Sequence, residues 1–106
     1  MDKKYFHEQV LIIVSKIPFG RVTSYGAIAE TAGMKSSSRY VGYILNTLKG
    51  NYDYPCHRVV NRIGCLSGKH NFEGENTMEE LLNSEGIEVK NDIVVDFKEK
   101  FWKPKV

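Results

Sequence analysis

Glycine and proline divide the first half of the chain into short amphipathic segments, and these helix-ending residues limit the possible folds more than any other feature. Apolar residues from Phe6 to Ile17 recur every three or four positions, which predicts an amphipathic helix over Lys3–Ile17. Pro18 and Gly20 end that helix because proline cannot continue the hydrogen-bond ladder and glycine favours other backbone conformations. The chain therefore begins with separate short helices rather than with one long helix.

Two more short helices follow, joined by a turn that contains Gly33. Ser24 offers an N-cap for a helix over Tyr25 to Thr31 or Ala32, and Ser36–Ser38 cap a third helix that ends near Lys49–Gly50. Two short helices with a glycine-containing turn are the signature of a helix-turn-helix, although a plain helical hairpin without a DNA-binding role fits the same pattern. Small polar residues at the start of the second helix favour a close approach of its backbone N–H groups to phosphate.

The second half of the chain predicts short strands around one helix. Val59–Gly64 indicates a strand that leads into a turn, residues 67–76 indicate a polar loop, and Thr77–Ser84 indicate a helix. Ile87–Val89 and Ile93–Val95 flank a short turn and predict a β-hairpin. The predicted fold class is mainly α with short β elements.

Length and composition exclude several classes of protein. With 106 residues the chain has the length of one domain, here residues 1–106. Apolar residues make up 42% and charged residues 26%, which is typical of a globular chain and not of a disordered one. The longest apolar run, Val10–Val14, is too short to cross a bilayer, and two cysteines do not make a disulfide scaffold. We expect a cytoplasmic protein with no membrane association.

Charge is distributed unevenly along the chain. Residues 20–70 carry seven Lys or Arg and two acidic residues, whereas residues 71–106 carry nine acidic residues and five Lys. A basic region of this kind favours polyanions such as nucleic acid, and ordinary solvated surface charge is the simpler alternative.

The segment with the most chemical content is Pro55-Cys-His-Arg-Val59. A thiol beside a histidine and an arginine has two neighbours that favour the thiolate, although many such pairs carry no chemistry. The segment resembles the active-site motif of the O6-alkylguanine-DNA alkyltransferases. The resemblance continues, in the family's order, in Ile17–Gly26, Ser38–Gly42 and Glu85–Gly86.

The resemblance implies a catalytic set. Cys56 would take the alkyl group from guanine O6, and His57 would act as its base through a water molecule while Glu85 orients the imidazole. Tyr25 would protonate the leaving guanine, and Val59 would contact the substrate. Because the product is a stable thioether, the protein would act once. The resemblance implies no cofactor and no metal.

The same resemblance implies a single winged helix-turn-helix-like DNA-binding domain. It also implies double-stranded DNA containing O6-alkylguanine as the partner, with the target base swung out of the stack. Arg39 would fill the space that the base leaves, and Tyr25 would crowd the target phosphate. Four small residues would allow the recognition helix to approach the DNA backbone closely: Ser36, Ser37, Ser38 and Gly42.

The chain departs from the alkyltransferase pattern in two places. Ser67–Gly74 replaces the family's substrate loop, and the asparagine expected before the cysteine motif falls on Leu48. These features are similar to those of the alkyltransferase-like proteins, a sister group of short domains that bind alkylated guanine without repairing it and usually lack the cysteine.

The sequence therefore leaves three functions open. The first is a single-turnover methylated-DNA–[protein]-cysteine S-methyltransferase that acts as a monomer. The second is a non-catalytic sensor of alkylated guanine that recruits nucleotide excision repair proteins. The third is a helix-turn-helix regulator that reads base edges.

Overall fold

The computed structural model describes residues 2–49 and 51–105 and contains short helices and strands around two apolar clusters. Within these residues the helices are α1 (Lys3–Ser15), α2 (Tyr25–Thr31), α3 (Ser38–Asn46), α4 (Thr77–Ser84) and α5 (Phe97–Lys100). The strands are β1 (Thr23–Ser24), β2 (Val59–Val60), β3 (Val89–Lys90) and β4 (Ile93–Val94). Single 3-10 turns cover Cys56–Arg58 and Lys69–Asn71. The mainly helical fold class predicted from the sequence is confirmed.

The strands form two separate pairs. β1 lies parallel to β2, with Thr23 opposite Val59, and β3 and β4 form an antiparallel hairpin. The hairpin turns at Asn91 and Asp92, whose φ angles of 52° and 63° are the left-handed values that a tight hairpin turn requires. The β1–β2 pairing holds the segment before α2 beside the segment that follows Cys56–Arg58, which brings distant parts of the chain together.

The three N-terminal helices agree with the sequence pattern, with small differences at their ends. α1 ends at Ser15, two residues before the predicted end, and α2 has the predicted bounds. The Ser24 hydroxyl caps α2 by accepting a hydrogen bond from the Ala27 amide at 3.1 Å. α3 ends at Asn46 rather than near Lys49–Gly50, where Gly50 lies outside the described residues.

The second half of the chain differs more from the sequence pattern. α4 has the predicted bounds, but the predicted strand over Val59–Gly64 is only two residues long and β3 begins two residues later than expected. α5 was not predicted because a single turn has too few residues to show a helical period. It follows Asp96, which has a left-handed φ of 57°.

The two apolar clusters lie on either side of the β1–β2 pair. The first fills the space between α1, α2 and α3 and contains the fully buried Phe6, Ile28 and Val41. The second lies under α4 and the hairpin and contains Met78 and Leu82. No helix among the described residues has the length and apolar content that a membrane crossing needs.

Burial of the α1 face predicts unequal effects of two adjacent substitutions. Ile13 is fully buried, whereas the side chain of Ile12 is 43% exposed. We expect Ile13→Ala to lower the free energy of unfolding by about 2–5 kcal/mol because it leaves a cavity. Ile12→Ala removes the same atoms from the surface and should cost less than about 1 kcal/mol. Urea unfolding measures both, and equal losses would contradict the described packing.

Candidate active site and DNA-binding surface

A buried carboxylate, Glu85, organises the site. It follows the last turn of α4, and its side chain is 5% exposed. Oε1 accepts hydrogen bonds from the Gly20 amide at 2.8 Å and from Arg58 Nε at 2.9 Å. Oε2 accepts hydrogen bonds from Arg58 Nη2 at 2.8 Å and from His57 Nε2 at 2.6 Å. Glu85 therefore ties together three segments that are distant in the sequence.

The hydrogen bonds to Glu85 determine the protonation states of Glu85 and His57. Burial acts to raise the pKa of Glu85, but the hydrogen bonds from Arg58, Gly20 and His57 outweigh it, and the pKa lies below its ordinary value. An ionised carboxylate only accepts hydrogen bonds, so the proton in the short contact is assigned to His57 Nε2. Nδ1 of His57 is then the free acceptor of the ring.

His57 stays neutral in spite of its carboxylate partner. Burial lowers the pKa of His57, and the charge of Arg58 lowers it further, whereas the hydrogen bond and the charge of Glu85 raise it. The net pKa lies below the ordinary value, so the imidazole is uncharged at neutral pH. A neutral imidazole with an unprotonated Nδ1 is the form that accepts a proton.

Cys56 and His57 lie in the 3-10 turn and line one cleft together with Tyr25. The cleft is narrow in the free protein, with a cavity volume of about 30 Å³, which is the room that one water molecule takes, so a larger ligand enters only when the cleft widens. Its other lining residues are Leu45, Leu48, Lys49, Asn51, Tyr52, Tyr54, Gly68, Asn71, Phe72 and Met78. The structure thus brings the expected nucleophile, base and acid together in one cavity.

The prediction that neighbouring charges favour the Cys56 thiolate is wrong for the free protein. Burial raises the pKa of Cys56 to about 11, so the thiol is protonated at neutral pH. The Arg58 guanidinium is bound to Glu85 and to the Ile17 carbonyl, and the neutral His57 carries no charge that would stabilise a thiolate. His57 and Arg58 therefore follow Cys56 in the sequence but do not stabilise its thiolate in the structure.

Tyr25 is the first residue of α2, and its hydroxyl lies against the loop that follows β2. A Cβ atom on Gly68 would lie 2.6 Å from Tyr25 Oη, so this contact requires a glycine. Burial raises the pKa of Tyr25, a hydrogen bond with Ser67 opposes this, and the charge of Cys56 adds to it. The net pKa lies above the ordinary value, and the hydroxyl remains a proton donor at neutral pH.

Arg39 lies beside the cleft, at the second position of α3, and is exposed. It lines a shallow groove of about 250 Å³ together with Tyr25, Ser38 and Gly42. A Cβ atom on Gly42 would come no closer than 3.9 Å to the Tyr25 ring, so glycine there keeps the groove open without being required for packing. Because Tyr25 lines both cavities, the groove and the cleft form adjoining parts of one surface.

The predicted serines lie at the start of α3. Ser36 is exposed, and Ser37 and Ser38 are half-buried. Ser37 occupies the predicted N-cap position, but its side chain makes no capping hydrogen bond. Of the three serines, Ser38 lines the groove of Arg39, and Ser36 and Ser37 lie in the segment before it.

Val59 does not lie in the site. Its side chain is fully buried in the first apolar cluster, and its backbone is paired with Thr23 in the β1–β2 ladder. The expected contact of Val59 with the substrate therefore stays a prediction, and its side chain is not the group that could make it in the free protein. Asn71 and Phe72 line the cleft instead, and sequence reasoning missed them because they lie in the loop that departs from the alkyltransferase pattern.

A helix-turn-helix whose second helix borders a cleft with a cysteine and a histidine, beside a buried glutamate, is the arrangement of a DNA-binding domain with a candidate active site. Comparison with known families agrees with this class. The family described as 6-O-methylguanine DNA methyltransferase, DNA binding domain, matches residues 5–87. The chain belongs to this family.

Individual relatives divide into two groups by the length that is matched. Alkyltransferase-like protein 1 of Schizosaccharomyces pombe is 35% identical over 103 residues, which cover 93% of this chain and 95% of that protein. The DNA base-flipping protein of Escherichia coli is 35% identical over 99 residues, covering 92% and 74%. The methylated-DNA–protein-cysteine methyltransferase of Methanosarcina acetivorans is 36% identical over 81 residues, which cover 76% of this chain and 51% of that protein. The chain therefore spans about half the length of that methyltransferase.

A solved structure agrees with the fold over almost the whole chain. The crystal structure of S. pombe Atl1 in complex with damaged DNA containing O6-carboxymethylguanine has a TM-score of 0.87 and 33% sequence identity. The match covers 98% of this chain and 100% of that chain.

The raised pKa of Cys56 predicts the pH dependence of its alkylation. In the Cys65→Ser variant, Cys56 is the remaining thiol. We expect its rate with iodoacetamide to keep rising from pH 7 to pH 10, because a thiol with a pKa of about 11 is less than half ionised over that whole range. Mass spectrometry of the modified protein measures the rate, with Cys56→Ser/Cys65→Ser as the blank. A plateau below pH 8 would contradict the protonated thiol.

Proposed function

We propose that the chain recognises O6-alkylguanine in double-stranded DNA, takes the base into the cleft and transfers the alkyl group to Cys56 Sγ. The observation that carries this proposal is the single cleft lined by Cys56, His57 and Tyr25, with His57 Nε2 held 2.6 Å from Glu85. A thiol, a neutral base and a protonated hydroxyl are the groups that displacement at an O-alkyl carbon requires.

The transfer follows from these protonation states. His57 Nδ1 takes the thiol proton through a water molecule, and the Cys56 sulfur attacks the alkyl carbon. The S–C bond forms as the C–O6 bond breaks, and the electron pair of that bond stays on the guanine, which takes a proton from Tyr25. The proton held by His57 returns to Tyr25 through solvent. The products are unmodified guanine and a thioether on Cys56, which water does not cleave.

Recognition of duplex DNA is assigned to α3 and the turn before it. The target atom lies inside the base stack, so the nucleotide has to rotate out before it reaches the cleft. Unstacking costs a few kcal/mol per step, and a side chain that fills the vacated space offsets part of this cost. Arg39 is exposed at the start of α3 for that purpose, and Tyr25 lies between its groove and the cleft.

A second candidate function is lesion binding without transfer, in which Cys56 only lines the pocket and the complex recruits nucleotide excision repair proteins. Two observations favour it. The thiol has a pKa of about 11, and the similarity to S. pombe alkyltransferase-like protein 1 covers 95% of that protein. The two candidate functions share the cleft and differ only in whether Cys56 reacts.

Intact mass after incubation with duplex DNA containing O6-methylguanine separates the two candidates. We expect the protein to gain one methyl group, located on Cys56 by peptide mapping, because the base and the acid lie in the same cleft as the thiol. Cys65→Ser should behave like the wild type, and Cys56→Ser should gain nothing. If the wild type binds the modified duplex selectively and gains no methyl group, transfer is excluded and lesion binding stands.

Arg39→Ala should weaken binding to the modified duplex more than binding to the same modified single strand. Only the duplex requires a side chain in the vacated space, so we expect a loss of about tenfold or more on the duplex, equivalent to about 1.4 kcal/mol. Fluorescence anisotropy at fixed salt measures both affinities, since phosphate contacts make them salt-dependent. Arg39→Lys keeps the charge and controls for its loss. Equal losses on both substrates would show that Arg39 contacts phosphate only.

A further inference from the structure

We propose that Arg58 is a positioning residue: its guanidinium fixes the Glu85 carboxylate so that His57 binds Glu85 through Nε2 and keeps Nδ1 free. The consequence for catalysis rests on the function proposed above. The geometric role itself does not, because it concerns the free protein.

The contacts of Arg58 fix the plane of its guanidinium. Nε and Nη2 donate to the two oxygens of Glu85, and Nη1 donates to the Ile17 carbonyl at 2.7 Å. The Phe19 ring lies 5.8 Å from the guanidinium carbon, at the distance of a cation–π contact. The Arg58 side chain is 16% exposed, so these contacts are largely shielded from water. Arg58 thus connects the loop before β1 to the end of α4.

This arrangement needs an arginine rather than a positive charge alone. A planar fork binds both oxygens of a carboxylate at once, whereas the ammonium of lysine is a point charge that leaves the carboxylate free to rotate. Without Arg58, Glu85 would keep two donors, the Gly20 amide and His57, for two nearly buried oxygens. An ionised carboxylate with fewer donors favours the protonated form of a titratable partner, and His57 is the titratable one of these two donors.

The positioning of His57 also has a direct chemical effect. Burial is the largest cause that lowers the pKa of His57, and the charge of Arg58, which binds the same carboxylate, lowers it further. Loss of the guanidinium would therefore give either an imidazolium or a ring whose Nδ1 no longer faces away from Glu85. In both cases His57 loses the acceptor that takes the thiol proton.

The ¹⁵N resonances of the imidazole rings test this inference in the free, full-length protein at pH 7. His7→Gln and His70→Gln each remove one ring from the spectrum and so assign the resonances of His57. In the wild type we expect neutral His57 with the proton on Nε2. In Arg58→Gln we expect this form to lose population to the imidazolium or to the Nδ1–H tautomer.

Two further variants keep the test decisive. Arg58→Lys retains the charge and should show an intermediate loss, and it replaces Arg58→Gln as the test if that variant does not fold. Arg62→Gln removes an exposed arginine in the next turn and should leave the His57 spectrum unchanged. If the folded Arg58 variants keep His57 fully in the Nε2–H form, the inference is wrong.

The methyl-transfer rate then connects positioning to function. We expect Arg58→Gln to slow single-turnover transfer by at least about tenfold, within the range that a positioned general base contributes. A wild type that transfers no methyl group, combined with Arg58 variants that disturb the tautomer, would overturn the proposed function and leave the positioning role intact. An undisturbed tautomer would overturn the positioning role whatever the transfer rate.

Discussion

The pairing of one nearly buried carboxylate determines both the fold and the chemistry of the site. An unpaired charge at the position of Glu85 would cost several kcal/mol, and the cost is offset by donors from the Gly20 amide, Arg58 and His57. Because these donors come from different segments, the carboxylate closes the loop before β1 onto the 3-10 turn and α4. The same contacts orient the imidazole, so the interaction that closes this part of the structure also leaves Nδ1 of His57 as the acceptor of the ring.

The site rests in a protonated and uncharged state. Burial raises the pKa of Cys56 to about 11 and also raises that of Tyr25, while burial is the largest cause that lowers the pKa of His57. A thiol in this state reacts slowly with stray electrophiles and oxidants, because the thiolate is the nucleophile. Under the proposed transfer, deprotonation of Cys56 then depends on His57 and on a bound substrate whose alkyl carbon lies in line with the sulfur.

The local elements could largely be predicted from the sequence, and the tertiary properties could not. The bounds of α2 and α4 follow from apolar spacing, from the Ser24 cap and from the glycines after each helix. The contact between His57 and Glu85 was expected only from the family resemblance, since no spacing rule joins residues 28 positions apart. The burial of Val59 and the protonation of Cys56 depend on packing by distant segments, which a single sequence does not reveal.

The most direct test of the account is a crystal structure of the Cys56→Ser variant bound to a duplex that contains one O6-methylguanine. Serine is close to cysteine in size and a much weaker nucleophile, so the complex is held before transfer. We expect the modified base outside the stack and inside the cleft, its methyl carbon directed at the residue 56 side chain, with Arg39 in the vacated space. A modified guanine that remains stacked in the duplex, or a flipped base whose methyl group points away from residue 56, would contradict it.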